Sequence, residues 1–289
     1  MVLPGRRIRG FIGVLSLTFM IMLPAYVTAE TATNEFAMFK RTISPAWLWG
    51  ENGELTIPKA TPIGKYNFYA AMSGQDAGQI QGEKLYNTNT SFVFGTSDDA
   101  EIGYTKRQLY WANGDRTDLK SDVFHIKARV LNLAESFIPQ LSVGVIGMSL
   151  KDNQFTSTSE ILFNPFAAAT INVPLFSEHH VLSITATAET LYADGESTDT
   201  FYNAGADLSL FDRKLIIAVE QQGIGKTDSK SIMNAGVKLK LWDFLSLGAG
   251  KFNMSKSAVD KTISQANSYT MFFVSLELPL GRWSKAKSE

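Results

Sequence analysis

The chain contains, near its C-terminal end, the stretch Met233-Asn234-Ala235-Gly236-Val237-Lys238-Leu239-Lys240-Leu241, in which every second residue is apolar. Residues 203–210 and 270–280 repeat this alternation less strictly. Side chains on a β-strand point alternately to opposite faces, so each stretch predicts a strand with one apolar and one polar face. Successive strands of this kind, joined by polar turns, are typical of a closed antiparallel barrel with lipid outside and water inside.

The alternating pattern extends over most of the chain and predicts an all-β fold, an antiparallel transmembrane β-barrel of about twelve strands. Turn-forming residues separate the strands, for example Ser97-Asp98-Asp99 and Asp194-Gly195-Glu196. Pro165 and Pro174 interfere with the pattern in the sixth strand, because proline donates no ladder hydrogen bond. Ten or fourteen strands, and a soluble β-sandwich, are the alternatives. The expected strands are residues 66–75, 90–97, 100–110, 122–132, 139–150, 159–173, 179–193, 199–211, 214–226, 231–242, 244–256 and 268–280.

The first residues have the features of a secretory signal peptide. Arg6, Arg7 and Arg9 precede an apolar core at 11–23, and Val27-Thr28-Ala29 places small residues before a cut at Glu30. A membrane anchor is the alternative, but the apolar run is short for a spanning helix and Pro24 ends it. We therefore expect a signal peptide at 1–29, an irregular segment at 30–65 and the barrel at 66–283. The two prolines in Ile57-Pro58-Lys59-Ala60-Thr61-Pro62 predict that this segment packs near or inside the barrel mouth.

The composition excludes several classes of function. Three of the 27 Lys and Arg residues lie in the signal region, so 24 remain against 28 Asp and Glu, and such a chain has no basic footprint for nucleic acid. The chain has no cysteine, which excludes disulfides, thiolate metal sites and a lipid anchor on cysteine. The sequence predicts no metal and no cofactor.

The predicted faces of the strands select a set of candidate lumen residues. If the apolar set faces lipid, then Phe124, Ile126 and Val130 point outward and the alternate residues of the same strand point inward. The inward set mixes acids and bases, as in a polar pore, a ligand-binding lumen, or an interior that is neutralised by its own ion pairs. The basic residues of the fourth strand suggest an anionic ligand or an anion-selective lumen. The candidate lumen-facing or ligand residues are His125, Lys127, Arg129, Arg107, Glu101, Glu189, Asp207, Lys238, Lys240 and Glu277.

A short N-terminal motif carries a resemblance to a known family. Residues Trp49-Gly50-Glu51-Asn52-Gly53, Ile57-Pro58-Lys59-Ala60 and Ile63-Gly64-Lys65-Tyr66 resemble the start of YjbH-type outer-membrane barrels, in which a glycine-rich stretch leads through a Pro-Thr-Ala-like element into the first strand. This chain has Lys59 where threonine is usual, and the match covers about twenty residues. The resemblance implies a barrel associated with exopolysaccharide or capsule production, without catalytic residues to transfer.

The sequence therefore predicts a porin-like, non-enzymatic barrel in the outer membrane of a Gram-negative bacterium. Its expected partners are outer-membrane lipid, the barrel-assembly machinery, and polysaccharide or a small solute as cargo. A plugged structural or adhesin barrel is the second hypothesis, and a lipid-modifying barrel enzyme is the third. His180 and Ser183 do not form the His-x-Ser pattern of outer-membrane phospholipases, which argues against the enzyme.

Overall fold

The computed structural model describes Leu55 and residues 57–80, 83–111, 119–131, 138–150, 160–175, 177–193, 196–224, 232–252 and 269–280. The predicted signal peptide and the first part of the irregular segment lie outside these residues. The described residues form twelve strands: β1 (Asn67–Ile80), β2 (Glu83–Gly95), β3 (Ala100–Trp111), β4 (Leu119–Leu131), β5 (Gln140–Leu150), β6 (Glu160–Leu175), β7 (Ser177–Ala193), β8 (Glu196–Leu210), β9 (Leu215–Gln222), β10 (Ile232–Trp242), β11 (Leu245–Phe252) and β12 (Tyr269–Pro279).

The strands form one closed antiparallel barrel, in which each strand pairs with its neighbours in the chain. β1 closes the barrel by pairing with β12, from Asn67 opposite Pro279 to Gln75 opposite Met271. Closure pairs the backbone of every strand and leaves no free sheet edge, which a membrane interior requires. The predicted barrel of about twelve strands is confirmed.

The expected bounds of several strands are corrected. β1 runs to Ile80 and not to residue 75, and β9 ends at Gln222 and not at residue 226. β2 begins at Glu83 and not at residue 90, and it pairs with β1 from Ile80 opposite Glu83 onward. β6 runs through both of its prolines from Glu160 to Leu175. Pro165 is exposed and lies opposite Val145 of β5, while the pairing of β6 with β7 passes from Phe163 directly to Phe166, so the ladder with β7 has a gap at the proline.

The alternation of side chains divides the barrel into an apolar outer face and a polar inner face. On β4, Phe124 and Ile126 are each 57% exposed, whereas His125 and Lys127 between them are buried. On β12, Phe272 is 65% exposed, whereas Met271 and Phe273 point inward and are buried. Most buried polar residues lie on the inner face, so the apolar surface is turned toward the outside.

The two ends of the barrel differ in their connections. One end, here called the turn end, carries the connections 96–99, 132–139, 176, 211–214 and 243–244, and β1 begins there. The opposite end, the loop end, carries the connections 81–82, 112–118, 151–159, 194–195, 223–231 and 253–268. This difference is typical of outer-membrane barrels, which have short periplasmic turns and longer extracellular loops.

In the described strands, three inner-face aromatic rings lie directly over glycines of the neighbouring strand. A Cβ atom at Gly103 would meet the His125 ring at 2.0 Å, and one at Gly248 would meet the Phe273 ring at the same distance. A Cβ atom at Gly144 would likewise meet the Phe166 ring, at 2.4 Å. Each ring and its glycine are cross-strand partners. The missing side chain lets the ring lie close to the wall of the lumen.

Among the described residues, no helix has the length and apolar character needed to cross a membrane.

Candidate functional site in the barrel lumen

The chain immediately before β1 lies inside the barrel. Leu55 and residues 57–63, here called the plug segment, include Leu55 and Ala60 with no exposed surface and Ile57 with 1% exposed. Ile63 joins a buried apolar cluster with Tyr69, Ala71 and Val93 of the wall. Side chains this deeply buried in front of the first strand show that the segment occupies part of the lumen.

The backbone of the plug segment is bound mainly by side chains of the wall. The N–H groups of Leu55 and Ile57 donate to Glu220 Oε2 at 3.0 and 3.3 Å. Further along, the Ala60 N–H donates to Thr170 Oγ1 at 2.9 Å, and the Ile63 N–H donates to Glu101 Oε2 at 2.8 Å. An irregular segment has no ladder partner for these N–H groups, so the wall supplies the acceptors.

Lysine side chains make the remaining polar links between the segment and the wall. Lys59 forms a buried ion pair with Asp207 of β8. A lysine of the wall also binds the segment: Lys127 Nζ of β4 donates to the carbonyl oxygens of Lys59 and Thr61 at 3.1 and 3.0 Å. The segment thus contacts strands on several sides of the lumen at once.

The segment turns sharply into β1 at two glycines. Gly64 has φ +83°, a left-handed conformation that glycine adopts without strain. Gly95 lies against this turn, and a Cβ atom there would be 1.7 Å from the Gly64 carbonyl oxygen. The close approach requires glycine at position 95 and directs the preceding residues back into the lumen.

The structure places the ten candidate residues on the inner face or at its turn-end rim, but divides them among six separate groups. Glu101, His125 and Lys127 form one group, with Lys127 Nζ 3.0 Å and His125 Nε2 3.6 Å from Glu101 Oε1. Lys238 and Lys240 bind Glu277 at 2.9 and 3.0 Å. The other four groups are Arg129 with Asp99, Asp207 with Lys59, Glu189 with Asn164 and Asn203, and Arg107 with Asn89.

The basic residues of β4 do not form a shared anion site. Lys127 is bound by Glu101 and by plug carbonyl oxygens, and Arg129 Nη2 lies 2.6 Å from Asp99 Oδ1 at the rim. Buried charges are retained in proteins when they are paired in this way. The cations of β4 are therefore neutralised by acids of β3 and of the 96–99 connection, and Lys127 also holds the plug segment.

The wall formed by β6 to β10 is acidic and rich in amides. Glu189 accepts hydrogen bonds from Asn164 Nδ2 at 2.9 Å and from Asn203 Nδ2 at 3.1 Å. Glu220 Oε1 accepts from Asn234 Nδ2 at 2.6 Å while its other oxygen binds the plug segment. These amides orient the two carboxylates toward fixed positions in the lumen.

Within the part of the chain that the structure describes, no group of three or more His, Cys, Asp or Glu side chains is arranged to hold a metal ion.

Sequence reasoning missed Lys59, Thr170 and Gln140 as functional contacts. Gln140 accepts a hydrogen bond from Thr61 at 2.8 Å. The two prolines near Lys59 were the available signal, because they indicate an irregular segment close to the barrel mouth.

No protein-family model and no curated protein matches the chain. Among solved structures, a KdgM porin in complex with disordered oligogalacturonate is similar, with a TM-score of 0.48, 8% identity, and coverage of 73% of this chain and 97% of that chain. The outer membrane protein Omp33 of Acinetobacter baumannii has a TM-score of 0.45 at 8% identity over 74% of this chain and 99% of its own. Outer membrane phospholipase A from Escherichia coli has a TM-score of 0.43 at 10% identity over 75% and 94%.

With TM-scores below 0.5, these similarities leave the chemistry to be argued from this chain's own residues. The location follows from the closed barrel and its exposed apolar outer face. Such a face is stable in contact with lipid, so the barrel lies in a membrane. The protein is an outer-membrane β-barrel.

Proposed function

We propose that this protein is a non-enzymatic outer-membrane channel that is closed at rest by its own plug segment and takes part in surface polysaccharide export. The observation that carries the proposal is the packing of Leu55 and residues 57–63 inside the lumen. Its polar links to the wall are hydrogen bonds and one ion pair, which water can replace when the segment leaves, and its apolar contact with the wall is the small cluster around Ile63. Such contacts suit a displaceable closure.

The cargo part of the proposal has a separate support. Residues 49–66, which resemble the start of YjbH-type barrels, include the plug segment. A polysaccharide chain needs a polar path, and hydroxyl, amide and carboxylate groups line the inner face. Surface polysaccharide measured in a strain without this protein should fall, and should return when the wild-type gene is supplied. Unchanged polysaccharide would remove the cargo assignment and leave the channel assignment in place.

Planar-bilayer conductance tests the closure. Wild-type protein should show rare or very small openings, whereas replacement of residues 55–63 by a Gly-Ser segment of equal length should give stable, larger channels, because that segment lacks the side chains that pack against the wall. Lys65→Gln is the control, since this exposed residue lies outside the segment and should behave as wild type. Faster migration of unboiled samples on a gel verifies that each variant is folded.

Two outcomes would contradict the channel proposal. Equal conductance in wild type and the Gly-Ser variant would show that the segment does not close the lumen. Absence of current from both folded proteins would favour the plugged structural barrel. Altered acyl chains in the lipids of a deletion strain would instead favour the lipid-modifying enzyme.

A further inference from the structure

Arg107 differs from the lumen cations that bind carboxylates. Its side chain lies on the inner face of β3, and the residue is 5% exposed. Its Nε donates to Asn89 Oδ1 at 3.0 Å, but its buried Nη1 has no hydrogen-bond partner among the described residues. Lys59, Lys127 and Lys238 each bind a carboxylate, whereas Arg107 has no ion pair within the described part of the chain.

The described wall residues around Arg107 are uncharged and, apart from Val123 of β4, polar. Its cross-strand partners are Asn89 on β2 and Ser121 on β4, both buried. Asn89 donates through Nδ2 to Ser73 Oγ at 3.1 Å, which turns its carbonyl oxygen toward Arg107. In the next inward row, Thr105 Oγ1 donates to Ser91 Oγ at 2.9 Å. None of these neighbours is an acid, so the wall itself does not neutralise the guanidinium.

A buried guanidinium without a counter-charge is unfavourable unless a ligand supplies one. The guanidinium presents its N–H groups as a planar fork that matches the two oxygens of a carboxylate or the edge of a sulfate. The Asn89 contact holds Nε and so fixes the orientation of the fork, while none of the described residues accepts from the Nη1 edge.

We propose that Arg107, oriented by Asn89 and flanked by the Ser121 hydroxyl, is a binding site for a single oxyanion group, a carboxylate or a sulfate, carried by a solute in the lumen. The site lies on β3 six residues beyond Glu101, roughly 20 Å along the strand toward the loop end. It belongs to the fixed wall and exists whether or not the plug segment moves, so it goes beyond the proposed closure.

The test compares the thermal stability of folded protein in detergent in sodium sulfate, sodium acetate and sodium chloride of equal ionic strength. The readout is the temperature at which the fast-migrating band of unboiled protein disappears. Sulfate or acetate should raise this temperature by roughly 2–4 °C over chloride in wild type, because ligand binding to the folded state stabilises it. Arg107→Gln should lose this rise.

Arg129→Gln is the matched control, because it removes the same charge from a guanidinium that Asp99 already binds. Sulfate also stabilises proteins by exclusion from their surface, so only the difference between the variants counts. An equal rise in all three proteins, or no rise in wild type, overturns the proposal. A rise with only one anion identifies which of the two oxyanions the site takes.

A second measurement covers the case in which Arg107→Gln does not fold. Wild-type crystals soaked in selenate, an anomalous scatterer shaped like sulfate, should show an anomalous peak within hydrogen-bond distance of the Arg107 Nη atoms. Water density alone at that position under saturating selenate overturns the proposal.

Discussion

At the scale of single residues, the inner wall of the barrel depends on glycines that make room for rings. Gly103 lies beneath the His125 ring, and His125 is 2% exposed. The sequence shows both residues, but only the register of β3 with β4 places them opposite each other. The contact between Gly103 and His125 was therefore not predictable from the sequence. Alternation shows which face of the sheet a residue lies on, but not which residue of the next strand lies opposite it.

Gly103→Ala should lower the free energy of unfolding by about 1–3 kcal/mol, because the new Cβ atom would overlap the buried His125 ring. Urea unfolding in lipid vesicles measures this. Gly147→Ala on β5 is the control: its Cβ atom would come no closer than 3.7 Å to Phe163, and alanine restricts the unfolded chain more than glycine does. Equal destabilisation by both substitutions would contradict the argument.

Charged residues on the inner face were predictable from the sequence as a set, since a charge toward the bilayer midplane is costly. Their partners were not predictable. Asp207 finds its cation in Lys59, 148 positions earlier in the chain. Only the closed barrel and the inward turn at Gly64 bring these two side chains together.

At the scale of elements, the strands that were predicted best have apolar residues at their outward positions. β10 is an example, with Val237 and Leu239 exposed on its outer face. The start of β2 was missed because Thr88 and Thr90 occupy outward positions beside the inward Asn87 and Asn89. Both faces are then polar, and the alternation that marks a half-buried strand disappears.

The link between β3, β4 and the plug segment is an ion pair without exposed surface on either side chain, Lys127 with Glu101. Lys127→Met should lower the free energy of unfolding by about 3–5 kcal/mol, because it leaves a buried carboxylate without its lysine partner. It should also increase channel opening, since two hydrogen bonds to the plug carbonyls are lost. Urea unfolding and bilayer conductance measure the two effects.

Adding Glu101→Gln to Lys127→Met should restore much of this stability, because the amide keeps an acceptor for the Ile63 N–H without an uncompensated charge. Lys240→Met is the control for removing a lysine. Its side chain is 21% exposed and its partner Glu277 retains Lys238, so we expect a loss below about 1 kcal/mol. A double variant as unstable as the sum of its single variants would show that the two residues do not interact.

At the scale of the whole molecule, the outer face determines where the protein resides. Ile126 lies near the middle of β4 and is 57% exposed toward the outside. Ile126→Arg should cost about 2–4 kcal/mol of membrane-folded stability, because the charge would lie in the hydrocarbon layer. The folded fraction after refolding into vesicles, read from band migration without boiling, measures the loss.

An isoleucine-to-arginine substitution at the rim of the barrel is the control for Ile126→Arg. Ile224 is 37% exposed in the connection after β9, so Ile224→Arg should cost about 0–1 kcal/mol. If both variants refold equally well, the outer face of β4 does not face lipid.

The sequence predicted the number of strands and most of their positions because lipid outside and water inside impose opposite requirements on neighbouring residues. The contacts of the plug segment with the wall could not be predicted from this alternation. Glu220 binds the Leu55 N–H across 165 positions, and nothing periodic relates the two residues. That contact exists only because the closed barrel surrounds the segment.

The distribution of the plug contacts has a consequence for biogenesis. The segment precedes β1 in the chain, yet its partners Glu101, Thr170, Asp207 and Glu220 lie on β3, β6, β8 and β9. It therefore cannot complete its bonds when it leaves the ribosome or crosses the periplasm, and it docks only after the greater part of the sheet has curved around it. The first described residues of the chain are thus among the last to reach their final contacts, and their docking reports that assembly is complete.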